Sequence, residues 1–238
     1  MNNTKRTLAT LITTTILLGA TQPGEPSTPS KQPAQQPEKK EVAEVGEKAP
    51  AFTLTDQNGK KHSLSDYKGK IVVLEWFNET CPYCRKIWES EQVSSLIKTL
   101  SGLEKDVVYI AVNSTANKPE EEVVQGGKEF FEELGATSTL LFDYNGEVGR
   151  AYSARTTPHM FVIDNEGVLV FQGAFSDDKK FKNGDEAEIY ALTAVNQLIA
   201  GKEVSPSYVQ PWGCSVKYAG KNGGRGGRGN RPGGRPGY

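Results

Sequence analysis

The stretch 71–77 (IVVLEWF) constrains the fold more than any other part of the chain. Glu75 is its only charge, so a strand made from it has no face suited to water and needs cover on both sides. Such a strand belongs at the centre of a sheet between two layers. Residues 107–112 (VVYIAV) and 139–142 read as further strands. Residues 81–100 read as a helix, apolar at Ile87, Trp88, Leu96, Ile97 and Leu100, and 119–134 as a second helix opened by Pro119. Alternating strands and helices in this order predict a βαβ unit. Residues 160–164 and 168–172 flank Asn165-Glu166-Gly167, a hairpin signal, and 186–199 reads as a closing amphipathic helix stopped by Gly201. Upstream, 51–54 and 61–64 flank Asp56-Gln57-Asn58-Gly59, whose Asn-Gly step favours a tight turn. The expected fold is α/β: a central mixed sheet flanked by helices, with an N-terminal β-hairpin.

Directly after the apolar strand stands Cys81-Pro82-Tyr83-Cys84, at the predicted start of a helix. The positive end of a helix and its free N–H groups stabilise a thiolate at Cys81, and one turn brings Cys84 within disulfide range. Pro82 is tolerated in the first turn because its missing N–H would have no partner there. This predicts Cys81 as nucleophile and Cys84 as resolving thiol. A structural zinc site is the competing chemistry, but it needs a second ligand pair, and His62, His159 and Cys214 are scattered singly. A purely structural Cys81–Cys84 disulfide is the other alternative, and an oxidising compartment would permit it.

The segment EWFNETCPYCRK resembles the active site of thioredoxin-fold proteins. From about Gly46 to Tyr218 the chain resembles their redoxin branch: alkyl hydroperoxide reductase/thiol-specific antioxidant-like proteins and exported TlpA/ResA-like thiol–disulfide oxidoreductases. The N-terminal hairpin FTLTDQNGKKHSLSDYKGK and the stretch RTTPHMFVIDNEGVLVFQGAF carry the likeness further. The resemblance implies a thioredoxin-like fold, a redox-active Cys81–Cys84 disulfide and a cis-proline at Thr157-Pro158. It also implies that Thr157 and Pro158, beside Pro82 and Tyr83, receive a substrate chain. Glu75, six residues before Cys81, falls where thioredoxins bury an acid under the second cysteine; a raised pKa there would let it exchange a proton with Cys84. The alternative for Glu75 is a water-exposed position at a strand edge. His159 either faces the thiols and tunes them or makes an unrelated polar contact.

Some redoxins are peroxide reductases that use one cysteine in a Pro-x-x-x-Thr-x-x-Cys pattern. Leu74 and Asn78 occupy the Pro and Thr positions here, and a threonine stands instead at Thr80. Peroxidase activity at Cys81 is therefore the alternative function. Cys214, in PWGCSVKY, resembles a C-terminal ending of some redoxin-like proteins and is a candidate additional redox thiol; a free or buried cysteine is the other reading.

The ends differ in composition. Lys5 and Arg6 precede an apolar stretch from 8 to 18, too short for a membrane span, which needs roughly 20 residues. Residues 1–20 are thus read as an export signal, and 21–45, rich in Pro, Gln, Lys and Glu, as a disordered linker. Residues 46–219 form the domain. Residues 220–238 carry Lys221, Arg225, Arg228, Arg231 and Arg235 among glycines, with no acid, and read as a disordered tail. With 28 basic against 29 acidic residues overall, the composition argues against a dedicated nucleic-acid binder. The expected location is the periplasm or another exported site; membrane association through an uncleaved N-terminus is the alternative. Expected partners are thiol or disulfide substrates, protein or small-molecule, and a redox partner. No metal or other cofactor is expected.

Overall fold

The computed structural model describes residues 42–220; the expected signal, most of the linker and nearly all of the Gly/Arg-rich tail lie outside them. The apolar stretch forms β3 (Ile71–Trp76), buried along its whole length. Its neighbours are β4 (Val107–Asn113), parallel to it, and β7 (His159–Ile163), antiparallel. Beyond β4 lies β5 (Thr139–Phe142), again parallel, and beyond β7 lies β8 (Leu169–Gly173), antiparallel. The N-terminal hairpin, β1 (Thr53–Asp56) with β2 (Lys61–Ser63), pairs onto β5 through β1. The hairpin is thus part of the main sheet, in the order β2-β1-β5-β4-β3-β7-β8. Asp56 fixes its turn by accepting from the N–H groups of Asn58 and Lys60.

Strand alternation divides the core in two. Ile71 and Val73 face a layer made by α1 (Pro82–Glu89), α2 (Gln92–Ser101), α3 (Glu120–Glu133) and α5 (Tyr190–Ile199). Val72, Leu74 and Trp76 face the opposite side, with Phe52, Tyr152 and Phe161. There the Trp76 indole donates to Ser114, whose hydroxyl donates to the buried Asp143 carboxylate. Asp143 also accepts from Gly149 N–H at the short helix α4 (Glu147–Ala151), an element the sequence reading did not anticipate.

Three boundaries differ from expectation. The helix expected over 81–100 is broken at Glu91, which adopts φ 62°, into α1 and α2. An unbroken helix would carry its buried stripe from Cys84, Ile87 and Trp88 to Glu91 and Ser95, which are polar; the break shifts the stripe to Val93, Leu96 and Leu100. The closing helix begins at Tyr190 rather than 186 because Glu188 exchanges backbone and side-chain hydrogen bonds with Asp177, which holds it extended. Packing also begins before Gly46: Ala43 is buried and its N–H donates to Ala151 O.

Two short strands complete the structure. β6 (Thr156–Thr157) precedes Pro158 and pairs antiparallel with β9 (Cys214–Ser215), which the chain reaches only after α5.

Candidate active site

β3 delivers its C-terminal end to the N-terminus of α1, and Cys81 occupies the N-cap with extended backbone while Pro82 takes the first helical position. Cys81 N–H donates to Asn78 O at 3.0 Å, fixing the turn between strand and helix. All three cysteines are free thiols, with Cys81 and Cys84 buried and Cys214 half-buried. Tyr83 packs against Trp212 and Phe181, at ring separations of 5.8 and 6.2 Å, while Pro82 is exposed. The Thr157–Pro158 peptide bond is cis, and the protonated Cys81 thiol donates to Thr157 O at 3.0 Å.

Electrostatics separate the two thiols. A hydrogen bond from the Cys84 thiol, opposed by burial and assisted by the Thr157 hydroxyl, the Cys84 N–H and Cys214, pulls Cys81 down to about 4. In its protonated form the thiol gives its hydrogen to Thr157 O; as a thiolate it becomes the acceptor of these donors. Among the described residues the buried Thr157 hydroxyl has no hydrogen-bond partner while Cys81 is protonated, which leaves it free to donate to the thiolate. Burial, the same hydrogen bond to Cys81 and the nearby Glu75 charge push Cys84 well above the ordinary thiol range. The pair is therefore poised with its charge on the outer sulfur.

Glu75 lies on the Ile71/Val73 face of β3, directly under α1, and is fully buried. Burial raises its carboxyl to about 8 against hydrogen bonds from Tyr109, Trp88 and Cys84. Trp88 Nε1 donates to its two oxygens at 3.1 and 3.3 Å, and the Tyr109 hydroxyl donates to Oε2. Trp88 and Tyr109 are the site residues that the sequence reading missed. The signals were present: Trp88 follows Cys84 by four residues on one helical face, and Tyr109 is the polar-tipped residue of an otherwise apolar strand.

His159 does not reach the thiols. It alternates with Met160, shares the face of Phe161, 4.4 Å away between rings, and its Nδ1 accepts from Arg155 N–H. Burial lowers its pKa to about 3, so it is neutral. Thr80 also points elsewhere, giving its hydroxyl hydrogen to Asn78 Oδ1 at 2.7 Å, and Arg85 pairs with Glu89 at 2.6 Å. Among the described residues no group of three or more His, Cys, Asp or Glu side chains is arranged to hold a metal ion.

Cys214, remote in sequence, lies across from Thr157 in the β6–β9 pair. Gly213 makes this approach feasible: at φ 135° it lies so close to the Thr157 carbonyl and Pro158 that any Cβ would overlap them. Gly213→Ala is expected to destabilise the protein by about 1–3 kcal/mol, the range of an overpacked site, and to raise the rate at which Cys214 reacts with iodoacetamide. Thermal unfolding and alkylation kinetics measure the two effects.

A strand–dithiol–helix unit, a buried acid beneath the second cysteine and a cis-proline beside the first together define a thioredoxin-fold redox protein. Solved structures agree with the fold: an uncharacterised conserved protein from Geobacillus kaustophilus aligns with TM-score 0.63 and 26% identity over 75% of this chain and 94% of its own. The chain belongs to the AhpC/TSA family, whose model matches residues 45–172. Among curated relatives, the thiol-disulfide oxidoreductase ResA of Geobacillus kaustophilus is 35% identical over 54% of this chain and 68% of its own length. ResA of Bacillus thuringiensis subsp. konkukian is 31% identical over 55% and 70% respectively.

Proposed function

We propose that the protein is an exported thiol–disulfide oxidoreductase that exchanges disulfides with substrate proteins through Cys81 and Cys84. The observation that carries this reading is the placement of Cys81 at the N-cap of α1 against Thr157 O, with Cys84 one turn on and buried beside the fully buried Glu75 carboxyl, an arrangement that favours charge on the outer sulfur. The names of the ResA relatives support the reaction class. Export rests on Lys5, Arg6 and the apolar stretch after them.

The Cys81 thiolate attacks one sulfur of a substrate disulfide, whose other sulfur leaves as a thiolate and takes a proton from water. The resulting mixed disulfide is neutral at Cys81, which removes the charge that helps hold Glu75 protonated. With a carboxyl near 8, about a tenth of the molecules carry the Glu75 carboxylate at pH 7 even before that relief. The carboxylate takes the Cys84 proton, the Cys84 thiolate attacks Cys81 Sγ, and the substrate's second sulfur departs as a thiolate. Two electrons have then moved from the dithiol to the substrate, leaving a Cys81–Cys84 disulfide; a dithiol donor reverses the steps.

Reduction of insulin disulfides in the presence of dithiothreitol, set beside consumption of hydrogen peroxide by the same sample, tests the reading. Cys81-dependent insulin turnover with peroxide loss at the background rate is expected. Rapid peroxide loss without insulin turnover would replace the reading with a peroxidase.

A further inference from the structure

The backbone edge at Thr157, which the family resemblance implies would receive a substrate chain, is occupied by the protein's own C-terminal segment. Thr157 pairs with Cys214 and Thr156 with Ser215, antiparallel. This segment is tied down on both sides of the cysteine. Before it, Trp212 donates its indole N–H to Ser176 O at 2.8 Å, and Gly213 lies against the Thr157 carbonyl. After it, Val216 N–H donates to Arg155 O, Lys217 O accepts from Ala116 N–H, and the Tyr218 hydroxyl donates to Ala154 O. Every residue of the Trp-Gly-Cys-Ser-Val-Lys-Tyr stretch thus has an anchoring contact, Ser215 through its pairing with Thr156. Cys214 is the residue opposite Thr157, whose carbonyl is 3.0 Å from Cys81 Sγ.

We propose that Cys214 is a third redox thiol, held where the cysteine of an incoming substrate would lie, and that it exchanges with the Cys81–Cys84 disulfide to give Cys81–Cys214. The inference rests on the oxidoreductase reading and deepens it: a substrate reaches Cys81 only in competition with this built-in occupant. The exchange balances without an external oxidant. Cys214 loses its proton to water and attacks Cys81 Sγ; the Cys81–Cys84 bond breaks, and Cys84 leaves as a thiolate that takes the proton of Glu75. Oxidation of the reduced protein by oxidised glutathione reaches the same bond by a second route. Cys81 first forms a mixed disulfide, which Cys214 then resolves, releasing reduced glutathione.

The local electrostatics turn the exchange on only when it is useful. In the reduced protein, burial and the Cys81 thiolate hold the Cys214 thiol up near 11, so it stays protonated and inert. Once Cys81 is in a disulfide its charge is gone, while Lys217 continues to favour the Cys214 thiolate.

The test uses the full chain carrying Cys84→Ser, treated with oxidised glutathione, quenched in acid and mapped by peptide mass spectrometry after alkylation. A Cys81–Cys214 disulfide is expected in at least about tenfold excess over the glutathione adduct at about 0.1 mM reduced glutathione, because a tethered thiol competes at an effective concentration of about 1 mM or above. With Cys214→Ser added, the glutathione adduct at Cys81 is expected to persist. Recovery of that adduct from Cys84→Ser itself, with Cys214 alkylated, would overturn the proposal. A readout that avoids the Cys84 variant is the first-turnover rate of the reduced protein with insulin, which is expected to rise severalfold in Cys214→Ser; an unchanged rate counts against competition at Thr157. Wild-type protein separates the two levels of failure. If it reduces insulin and forms Cys81–Cys84 but Cys84→Ser gives no Cys81–Cys214, the Cys214 inference alone fails. If wild type neither turns over insulin nor forms a disulfide at Cys81, the oxidoreductase reading fails with it.

Discussion

Cys81→Ser is expected to reduce insulin turnover by at least about 10³-fold, the scale of losing a covalent nucleophile, with the fold intact because the two side chains differ by one atom. Cys84→Ser, by contrast, keeps the first step, since the nucleophile remains. The pH dependence identifies the nucleophile independently. A Cys81 thiol held near 4 is a thiolate throughout neutral pH, so its alkylation rate is expected to be flat between about pH 6 and 8 and to fall as pH drops through about 4. An ordinary thiol would instead gain rate up to about 8.5. Iodoacetamide kinetics on the wild-type protein, with the labelled cysteine assigned by peptide mass spectrometry, read the curve for Cys81 with both of its thiol donors in place. A rate still climbing at pH 8 would show that its hydrogen-bonding environment does not stabilise the anion.

Glu75→Gln has the second large effect, and it changes stability and rate in opposite directions. In the folded protein the carboxyl keeps its proton up to about 8, whereas in the unfolded chain it loses it near 4.5. Between these values unfolding releases a proton, so Glu75's contribution to stability is full below about 4.5 and falls as pH rises to about 8. Gln has no proton to lose and can still accept from Trp88 and Tyr109 through its amide oxygen. The variant is therefore expected to gain on the wild type with rising pH by up to about 1.4 kcal/mol per pH unit, reaching a few kcal/mol at pH 8. Urea unfolding of the reduced forms at pH 5 and pH 8 makes the comparison, and equal differences at both pH values would contradict a buried, protonated Glu75. The same substitution removes the proton acceptor for Cys84, so resolution of the mixed disulfide is expected to slow by about 100-fold, the lower range for general acid–base catalysis. Stopped-flow measurement of thiolate release from a substrate adduct gives that rate.

The parts of this site that are legible in the sequence are those set by local pattern. An apolar run with one acid identifies a strand buried on both faces, and its period of two places Glu75 on the side of α1 once Cys81 is known to open that helix. The Asn-Gly turn marks the hairpin, but nothing local shows that β1 goes on to pair with β5, because that choice is made by residues about 85 positions away. The break at Glu91 has a local signal, the polar residues at 91 and 95, which a count of apolar positions across the whole segment averages away. The extended turn at Glu188 depends on Asp177, a side chain outside the helix it shortens. Cys214 is the clearest case: its role as neighbour of Thr157 requires the chain to return across the sheet after α5, and only the glycine before it hints that backbone must approach backbone there.

The C-terminal return has one more effect, on self-association. Of the two outer strands of the sheet, β2 is only three residues long, while β8 would expose an open row of peptide groups. Residues 207–209 lie along that row: Gln172 N–H donates to Ser207 O, Val209 N–H to Gln172 O, and Ala174 N–H to Val209 O. The same polypeptide that carries Cys214 to the dithiol therefore seals the border at which a second molecule could add a strand. Closure of the β8 border and occupancy of the backbone edge at Thr157 thus depend on one continuous stretch of chain, 207–215.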